Sequence, residues 1–224
     1  MGDLFRPIRV LLVDDHQLLA QAIMISLRVA SVQAEIADLT DRNTLVERVR
    51  RDRPDLVLLD LNLGGVLDDG ATLVAPCTDA GSRVLVVTAS TDRADVGAAV
   101  EAGAIGVVSK TQPFEDLVGV VLEAARGNTV MSDGERARIL SELKAVREQR
   151  SQQRAPFERL TAREAQVLQA LGGGKSVTGI AQEWVVSQAT VRSQVRGVLT
   201  KLGVGSQLEA VAAALRAGWL TGTE

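Results

Sequence analysis

The chain has no tyrosine, only three phenylalanines and two tryptophans. Any core it builds must therefore be filled by Val, Leu, Ile and Ala, and with hydrophobic residues at 46% there are enough of them. There is a single cysteine, Cys77, so an intrachain disulfide framework is excluded and a reducing compartment is expected. No apolar run approaches bilayer-spanning length and no leader-like apolar stretch opens the chain, which predicts a soluble, cytoplasmic protein without a membrane partner. Net charge is small, −3, and by itself marks no polyanionic partner.

The charge is unevenly spread. Residues 1–125 hold 11 Lys and Arg against 19 Asp and Glu; residues 126–156 hold 7 against 4, and residues 157–224 hold 7 against 5. An acidic front and a mildly basic back suggest that the two ends meet different partners. The length, 224 residues, allows one or two domains.

The front reads as alternating strands and helices. Aliphatic runs at Ile8–Val13, Leu56–Leu59, Arg83–Thr88 and Gly106–Lys110 read as strands, with a weaker one at residues 34–37, and the continuous Leu56–Leu59 run reads as fully buried. Helical spacing fills residues 17–29, 43–51, 92–101 and 113–125, with Pro54 and Gly103 as stops. The stretch around Cys77 is left as a loop, its thiol read as buried and inert. This order predicts an α/β doubly wound parallel sheet of five strands.

Four of those strands end on chemistry. The first ends on Asp14 and Asp15, the third on Asp60, the fourth on Thr88 and the fifth on Lys110. In a parallel sheet these ends share one edge, where ligands of open α/β folds bind. Alone, each residue is ordinary: a cap, a strand-end hydroxyl, a surface amine. Together they suit phosphorylation of Asp60. Three clustered carboxylates repel one another unless a hard cation joins them, and Mg²⁺ accepts a few carboxylates, a backbone carbonyl such as that of Asn62, and water. Lys110 can pair with phosphoryl oxygens and Thr88 can hydrogen-bond one. His16, the sole histidine, follows the acid pair at a helix start and reads as a surface or capping residue.

Val13-Asp14-Asp15-His16, Leu58-Leu59-Asp60-Leu61-Asn62, Val86-Val87-Thr88-Ala89 and Gly103 through Lys110-Thr111-Gln112-Pro113 resemble the receiver domain of two-component response regulators. The resemblance implies a flavodoxin-like fold, Asp60 as acceptor of a phosphoryl group from a sensor histidine kinase, and Mg²⁺ on Asp14, Asp15, Asp60 and Asn62. Two features depart from that pattern. Val107 stands where receivers usually carry an aromatic ring, so a swinging ring is not the output switch. The loop after Asp60 reads Leu63-Gly64-Gly65, then Asp68-Asp69-Gly70, adding two acids near the pocket.

Residues 127–156 are charged and lack strand character. Ser132-Asp133-Gly134-Glu135 resembles a capping box before an apolar stripe at Ile139, Leu140, Leu143 and Val146. Ser151–Pro156 is polar and ends on proline, and reads as a flexible hinge. The expected division is a receiver over residues 1–126, a helical linker and hinge over 127–156, and a DNA-binding domain over 157–224.

Beyond the hinge, Thr161-Ala162-Arg163-Glu164 opens a helix to about Leu171, Ser176 caps a short helix, and Ser187 caps a longer one to Leu202. This is the helix-turn-helix plan. On the last helix Val191, Val195, Val198 and Leu199 form the core face. Arg192, Ser193 and Arg196 lie opposite, flanked by Gln194 and Lys201, with Thr190 near the N-terminus to approach phosphate. No Asp or Glu lies between Glu183 and Glu209. Leu160-Thr161-Ala162-Arg163-Glu164, Ile180-Ala181, Thr190-Val191-Arg192 and Lys201-Leu202-Gly203-Val204 resemble the LuxR-type helix-turn-helix. Gln194 replaces a usual His, and Thr178-Gly179 a usual Lys-Glu. The resemblance implies that a final helix bearing Leu208, Val211, Ala212 and Leu215 helps two copies meet on double-stranded DNA.

The joint pattern is that of the NarL/FixJ class of response regulators, which implies a transcription regulator, not an enzyme, switched at Asp60 by a sensor histidine kinase and active as a homodimer, with RNA polymerase as a further candidate partner. An alternative keeps DNA binding but makes the receiver an interaction module indifferent to phosphorylation. A phosphohydrolase is the weaker rival, because Asp60-Leu61-Asn62 lacks the second acid of an Asp-x-Asp pattern.

Overall fold

Residue parity decides the layers of the first half. On β1 (Arg9–Val13), Val10 and Leu12 enter one core while Leu11 and Val13 enter the other. On β3 (Leu56–Leu59), Leu56 and Leu58 join the first set, and Val57 and Leu59 the second. A strand turns successive side chains to opposite faces, so continuous aliphatic runs serve two apolar layers at once. A computed structural model describes residues 7–67 and 69–220; for Val66 only the backbone is described.

The five strands, with β2 (Gln33–Ile36), β4 (Arg83–Thr88) and β5 (Gly106–Ser109), are all parallel in the order β2-β1-β3-β4-β5. The chain runs outward on either side of β1 and β3, and the crevice at their carboxyl ends is the ligand edge of such a sheet. α1 (Gln17–Val29) and α5 (Phe114–Ala125) supply Ile23, Leu27, Leu117 and Val121 to one layer. α2 (Arg42–Asp52), α3 (Ala71–Asp79) and α4 (Arg93–Glu101) supply Leu45, Val49, Leu73, Val74 and Ala99 to the other.

α3 is a correction to the sequence reading, which left this stretch as a loop. Ala71, Leu73, Val74 and Cys77 are buried, the exposed side carries Ala75 beside Thr72 and Asp79, and Pro76 lies inside the helix. Its start is secured by Asp69, whose carboxylate accepts from the Ala71 amide at 3.0 Å. The Asp69 backbone pairs with that of Asn62 in an isolated bridge, and its neighbour Asp68 lies outside the described residues. Cys77 is buried as expected, and burial pushes its thiol up to about 11.

The chain divides into two compact units, Met1–Lys144 and Ala145–Glu224. The cut falls within α6 (Asp133–Glu158), inside the stretch 127–156 read as linker and hinge. In the first unit Met131 and Ile139 form a cluster with Val100 that half-buried Val96, Val107 and Leu140 complete, and Leu143 buries against α4 beside Gly97. A Cβ on Gly97 would meet Leu143 Cβ at 2.7 Å, so this glycine sets how closely α4 and α6 approach. Arg136 donates to the Val100 carbonyl at 3.1 Å, which also accepts from the Gly103 amide at 3.2 Å, and to that of Ala104, fastening α6 to the end of α4.

The expected hinge at Ser151–Pro156 is helical, and Pro156 falls two residues before the end of α6. Tertiary contacts explain it. Arg154 donates to the carbonyls of Ala217 (3.1 Å) and Gly218 (2.8 Å), and Phe157 stacks on Trp219 with centroids 5.5 Å apart.

The second unit continues with α7 (Ala162–Gly172), α8 (Val177–Glu183), α9 (Gln188–Leu202) and α10 (Gln207–Arg216). The N-caps of α7, α8 and α9 match the residues named from sequence. Thr161 and Glu164 form both halves of a capping box; Ser176, Ser187 and Ser206 accept from Gly179, Thr190 and Glu209 amides. Each such cap is worth about 1 kcal/mol. Val167, Ile180, Ala181, Val191 and Val195 pack α7, α8 and α9 together. No single described helix is long and apolar enough to cross a membrane.

Candidate phosphoacceptor pocket and candidate DNA-binding helix

The carboxyl edge of the sheet gathers side chains from three strand ends. Asp60 follows β3 and is 2% exposed; Asp14 follows β1 and is 8% exposed. Buried carboxylates need a partner of opposite charge. Lys110, one residue beyond β5, supplies it: its Nζ lies 2.7 Å from Asp14 Oδ2 and 2.7 Å from Asp60 Oδ2. The amine is itself buried, 7% exposed, after crossing from residues 96 and 50 positions away in the chain.

The outer part of the pocket holds Asp15 and His16. The His16 imidazole Nδ1 stands 2.8 Å from Asp15 Oδ1 and 3.8 Å from Asp60 Oδ2. It occupies the N-cap position of α1 yet makes no capping bond, and its ring is 63% exposed, so of the surface or capping role expected of it the surface one holds. One ligand atom from each of Asp14, Asp15, His16 and Asp60 lies within 4.8 Å of the others. The donor set fits a divalent cation, and the Lys110 ammonium between two of the acids shows that the spot accepts positive charge. It is an acid cluster of the kind that binds Mg²⁺.

Asn62 lies at the exposed mouth. Its amide donates to Asp60 Oδ1 at 3.2 Å, and it pairs with Asp69 in an isolated antiparallel bridge. Thr88 ends β4 and is 2% exposed; its hydroxyl accepts from the Ser90 amide at 3.0 Å, which holds the loop that follows. Gly70 was missed in the sequence. Its amide donates to the Leu61 carbonyl at 2.9 Å, and a Cβ there would fall 2.1 Å from the Asp60 carbonyl oxygen.

On α9 the residues expected at the polar face separate into two groups. Arg192, Ser193 and Arg196 are exposed, Gln194 is half-buried, and Thr190 is exposed with its hydroxyl 2.8 Å from that of Ser187. Arg192 makes one long contact, 3.5 Å, to Gln188. Lys201 is different. Its amine donates to Glu164 Oε2 at 2.6 Å, tying the end of α9 to the start of α7. Burial alone would push the Glu164 carboxyl up, but bonds from Lys201 and Thr161 outweigh it and hold the group below its usual value. Gly197 leaves room for this acid, since a Cβ there would meet Glu164 Oε1. Arg163 lies 3.8 Å over the Trp184 ring, a cation–π contact between α7 and the end of α8.

The family described as "Response regulator receiver domain" matches residues 10–122, and "Bacterial regulatory proteins, luxR family" matches residues 158–214. The chain is 31% identical over 211 residues to the "Probable transcriptional regulatory protein NarL" of Mycobacterium tuberculosis, covering 93% of this chain and 94% of that protein. It is 32% identical over 213 residues to the "Nitrate/nitrite response regulator protein NarP" of Escherichia coli, covering 91% and 93%. A crystal structure of the response regulator ChrA of a heme-sensing two-component system is 29% identical, covers 96% of this chain and 100% of that one, and has a TM-score of 0.46.

Proposed function

The chain belongs to the response-regulator family, a receiver followed by a luxR-family output domain, and on that premise we propose that it is a DNA-binding transcription regulator switched by phosphoryl transfer to Asp60. The observation that carries this reading is Lys110 Nζ held 2.7 Å from both Asp60 and Asp14. A lysine buried there places a fixed positive charge where a phosphoryl group on Asp60 would put its oxygens.

In this reading a sensor histidine kinase presents a phosphohistidine. An Asp60 carboxylate oxygen bonds to phosphorus as the P–N bond breaks, and the imidazole leaves with a proton from solvent. Mg²⁺ bound by Asp14, Asp15, Asp60 and the Asn62 carbonyl would offset charge on the transferring group. Lys110 keeps its ammonium on the phosphoryl oxygens, and Thr88 exchanges its Ser90 contact for one of them. Residues 1–126 receive the group, 127–156 connect, and 157–224 bind DNA. The chain accepts a group and is not itself a turnover enzyme, and it works in the cytoplasm.

At the other end, Arg192, Ser193, Gln194 and Arg196 enter a major groove, with Thr190 beside phosphate. Lys201, engaged by Glu164, braces the helix. Leu208 and Leu215, exposed on α10, suit the meeting of two copies on duplex DNA. RNA polymerase is the further partner a regulator of this kind would meet.

Asp60→Asn is expected to abolish labelling by acetyl phosphate; persistent labelling sinks the acceptor assignment. The second reading, a receiver indifferent to phosphorylation, draws on Val107, a small side chain packed beside Ile139 where a mobile ring would be needed. Measuring DNA affinity with and without beryllofluoride separates the two.

A further inference from the structure

We propose that residues 133–144, the half of α6 that belongs to the first unit, form a latch: docked on α4 and β5 while Asp60 is unmodified, and released when Asp60 carries a phosphoryl group. The inference rests on the reading of Asp60 as acceptor and of Thr88 as the hydroxyl that meets the phosphoryl group, and adds the element that responds.

A series of short hydrogen bonds leads from Thr88 to α4. The Thr88 hydroxyl accepts from the Ser90 amide at 3.0 Å, the Ser90 hydroxyl from the Asp92 amide at 3.1 Å, and Asp92 Oδ1 from the Ala94 amide at 2.7 Å. Asp92 is the N-cap of α4. Side chains that bond the backbone two residues on set the local turn, so the orientation of Thr88 helps to fix where α4 begins. Once its hydroxyl turns to a phosphoryl oxygen, the first bond of the series is gone and the start of α4 is held less firmly.

α6 docks on that helix. Leu143 fills the notch at Gly97, Ile139 packs with Val100 and half-buried Val107, and Glu142 lies 3.7 Å from Arg93 Nε in the first turn of α4. The notch has no slack, since a Cβ on Gly97 would stand 2.7 Å from Leu143 Cβ. A packed contact of this kind fits in one position and fails in the next, so a small shift of α4 is enough to break it. The hold is also narrow. Of residues 133–144, Ile139 and Leu143 are buried, and Arg136 adds the polar clasp on the Val100 and Ala104 carbonyls. Segments with so few buried contacts are the first to open.

The loop has room to move. A cleft of about 270 Å³ opens between Thr88, Ser90 and Thr91 on one wall and Glu135, Arg138 and Glu142 on the other. Val107 lines the same cleft and is too small to carry a signal across it, which leaves α4 as the route from Thr88 to α6.

The test uses the full-length protein with Mg²⁺ and beryllofluoride, which mimics a phosphoryl group on a carboxylate. A ¹⁹F resonance reports binding, and amide exchange read by mass spectrometry reports the latch. Expected at saturation is exchange about tenfold faster in residues 133–144, with no rise in β1 or β3. Coupling is reciprocal, so Leu143→Ala, which frees the latch at the outset, should bind beryllofluoride more tightly by about the same factor, and Arg136→Gln should act in the same direction. A bound ¹⁹F signal with exchange in residues 133–144 unchanged or slower overturns the proposal and leaves Asp60 as the acceptor. So does a native beryllofluoride affinity in variants whose residues 133–144 already exchange fast. If no bound signal forms in the native chain, the acceptor reading falls and takes this one with it.

Discussion

Gly70 backs directly onto Asp60: a Cβ on the glycine would fall 2.1 Å from the Asp60 carbonyl oxygen and 2.8 Å from Leu61 Cα. Backbone on backbone leaves no flexible side chain to yield. Gly70→Ala therefore has to force the Asp60 segment and the start of α3 apart. A displacement of about 1 Å at a reacting group can cost roughly a hundredfold in rate. Expected is a loss of that order in acetyl-phosphate labelling, with a lower melting temperature. Labelling at the native rate would show that the two segments separate without moving the carboxylate.

The α4–β5 face is covered by α6, and Arg136 clasps the end of α4 through the carbonyls of Val100 and Ala104. Arg136→Ala takes the donor from the Ala104 carbonyl, while that of Val100 keeps the Gly103 amide, at a cost of about 1–3 kcal/mol. Leu143, 3% exposed, is the apolar half of the contact. Leu143→Ala should cost about 2–5 kcal/mol. Urea denaturation gives both values. In each variant, amide exchange is expected to speed up in residues 133–144 before it does in β1 or β3.

Acid should weaken the second unit through Glu164. Its carboxyl titrates lower when folded than when unfolded, because the bonds from Lys201 and Thr161 outweigh burial. On acidification the unfolded chain takes up the proton first. The stabilisation is therefore complete above the ordinary glutamate value of 4.5 and is lost as pH falls through the folded value. Both tryptophans, Trp184 and Trp219, lie in this unit, so their fluorescence follows its unfolding. Denaturation midpoints are expected to drop below pH 4.5, and Glu164→Gln to flatten that pH dependence while lowering stability at pH 7.

Arg192 and Lys201 sit on the same helix but should fail differently. Arg192→Ala removes an exposed guanidinium and is expected to cost about 1–3 kcal/mol of discrimination against a changed base pair, with the fold intact. Lys201→Ala removes the partner of a largely buried acid and should appear first as lost stability. Affinities measured at one salt concentration, beside thermal melts, separate the two outcomes.

Much of this could be read in advance because the signals are local. An aliphatic run that ends on Asp60, or a serine three residues before the amide it caps, is visible without knowing the fold. Chain order also carried the inference that Asp14, Asp60 and Lys110 converge, because parallel strands put their ends on one edge. α3 escaped because its exposed side carries Ala75 beside Thr72 and Asp79, with Pro76 within the helix, which blurs the polar stripe in the sequence. The hinge at Ser151–Pro156 was misread because polar residues and proline say nothing of Arg154 reaching Ala217, or of Phe157 stacking on Trp219.

The amino-acid order alone determined which residues form strands, where helices are capped, and that acids, a hydroxyl and an amine terminate successive strands. Folding in three dimensions decided who meets whom. It set the exposed His16 ring beside the acids instead of capping α1, set Gly70 against Asp60, and gave Lys201 to Glu164 instead of leaving it free. Those contacts join positions far apart in the chain or depend on which way a side chain turns, and neither periodicity nor composition encodes distance across a fold.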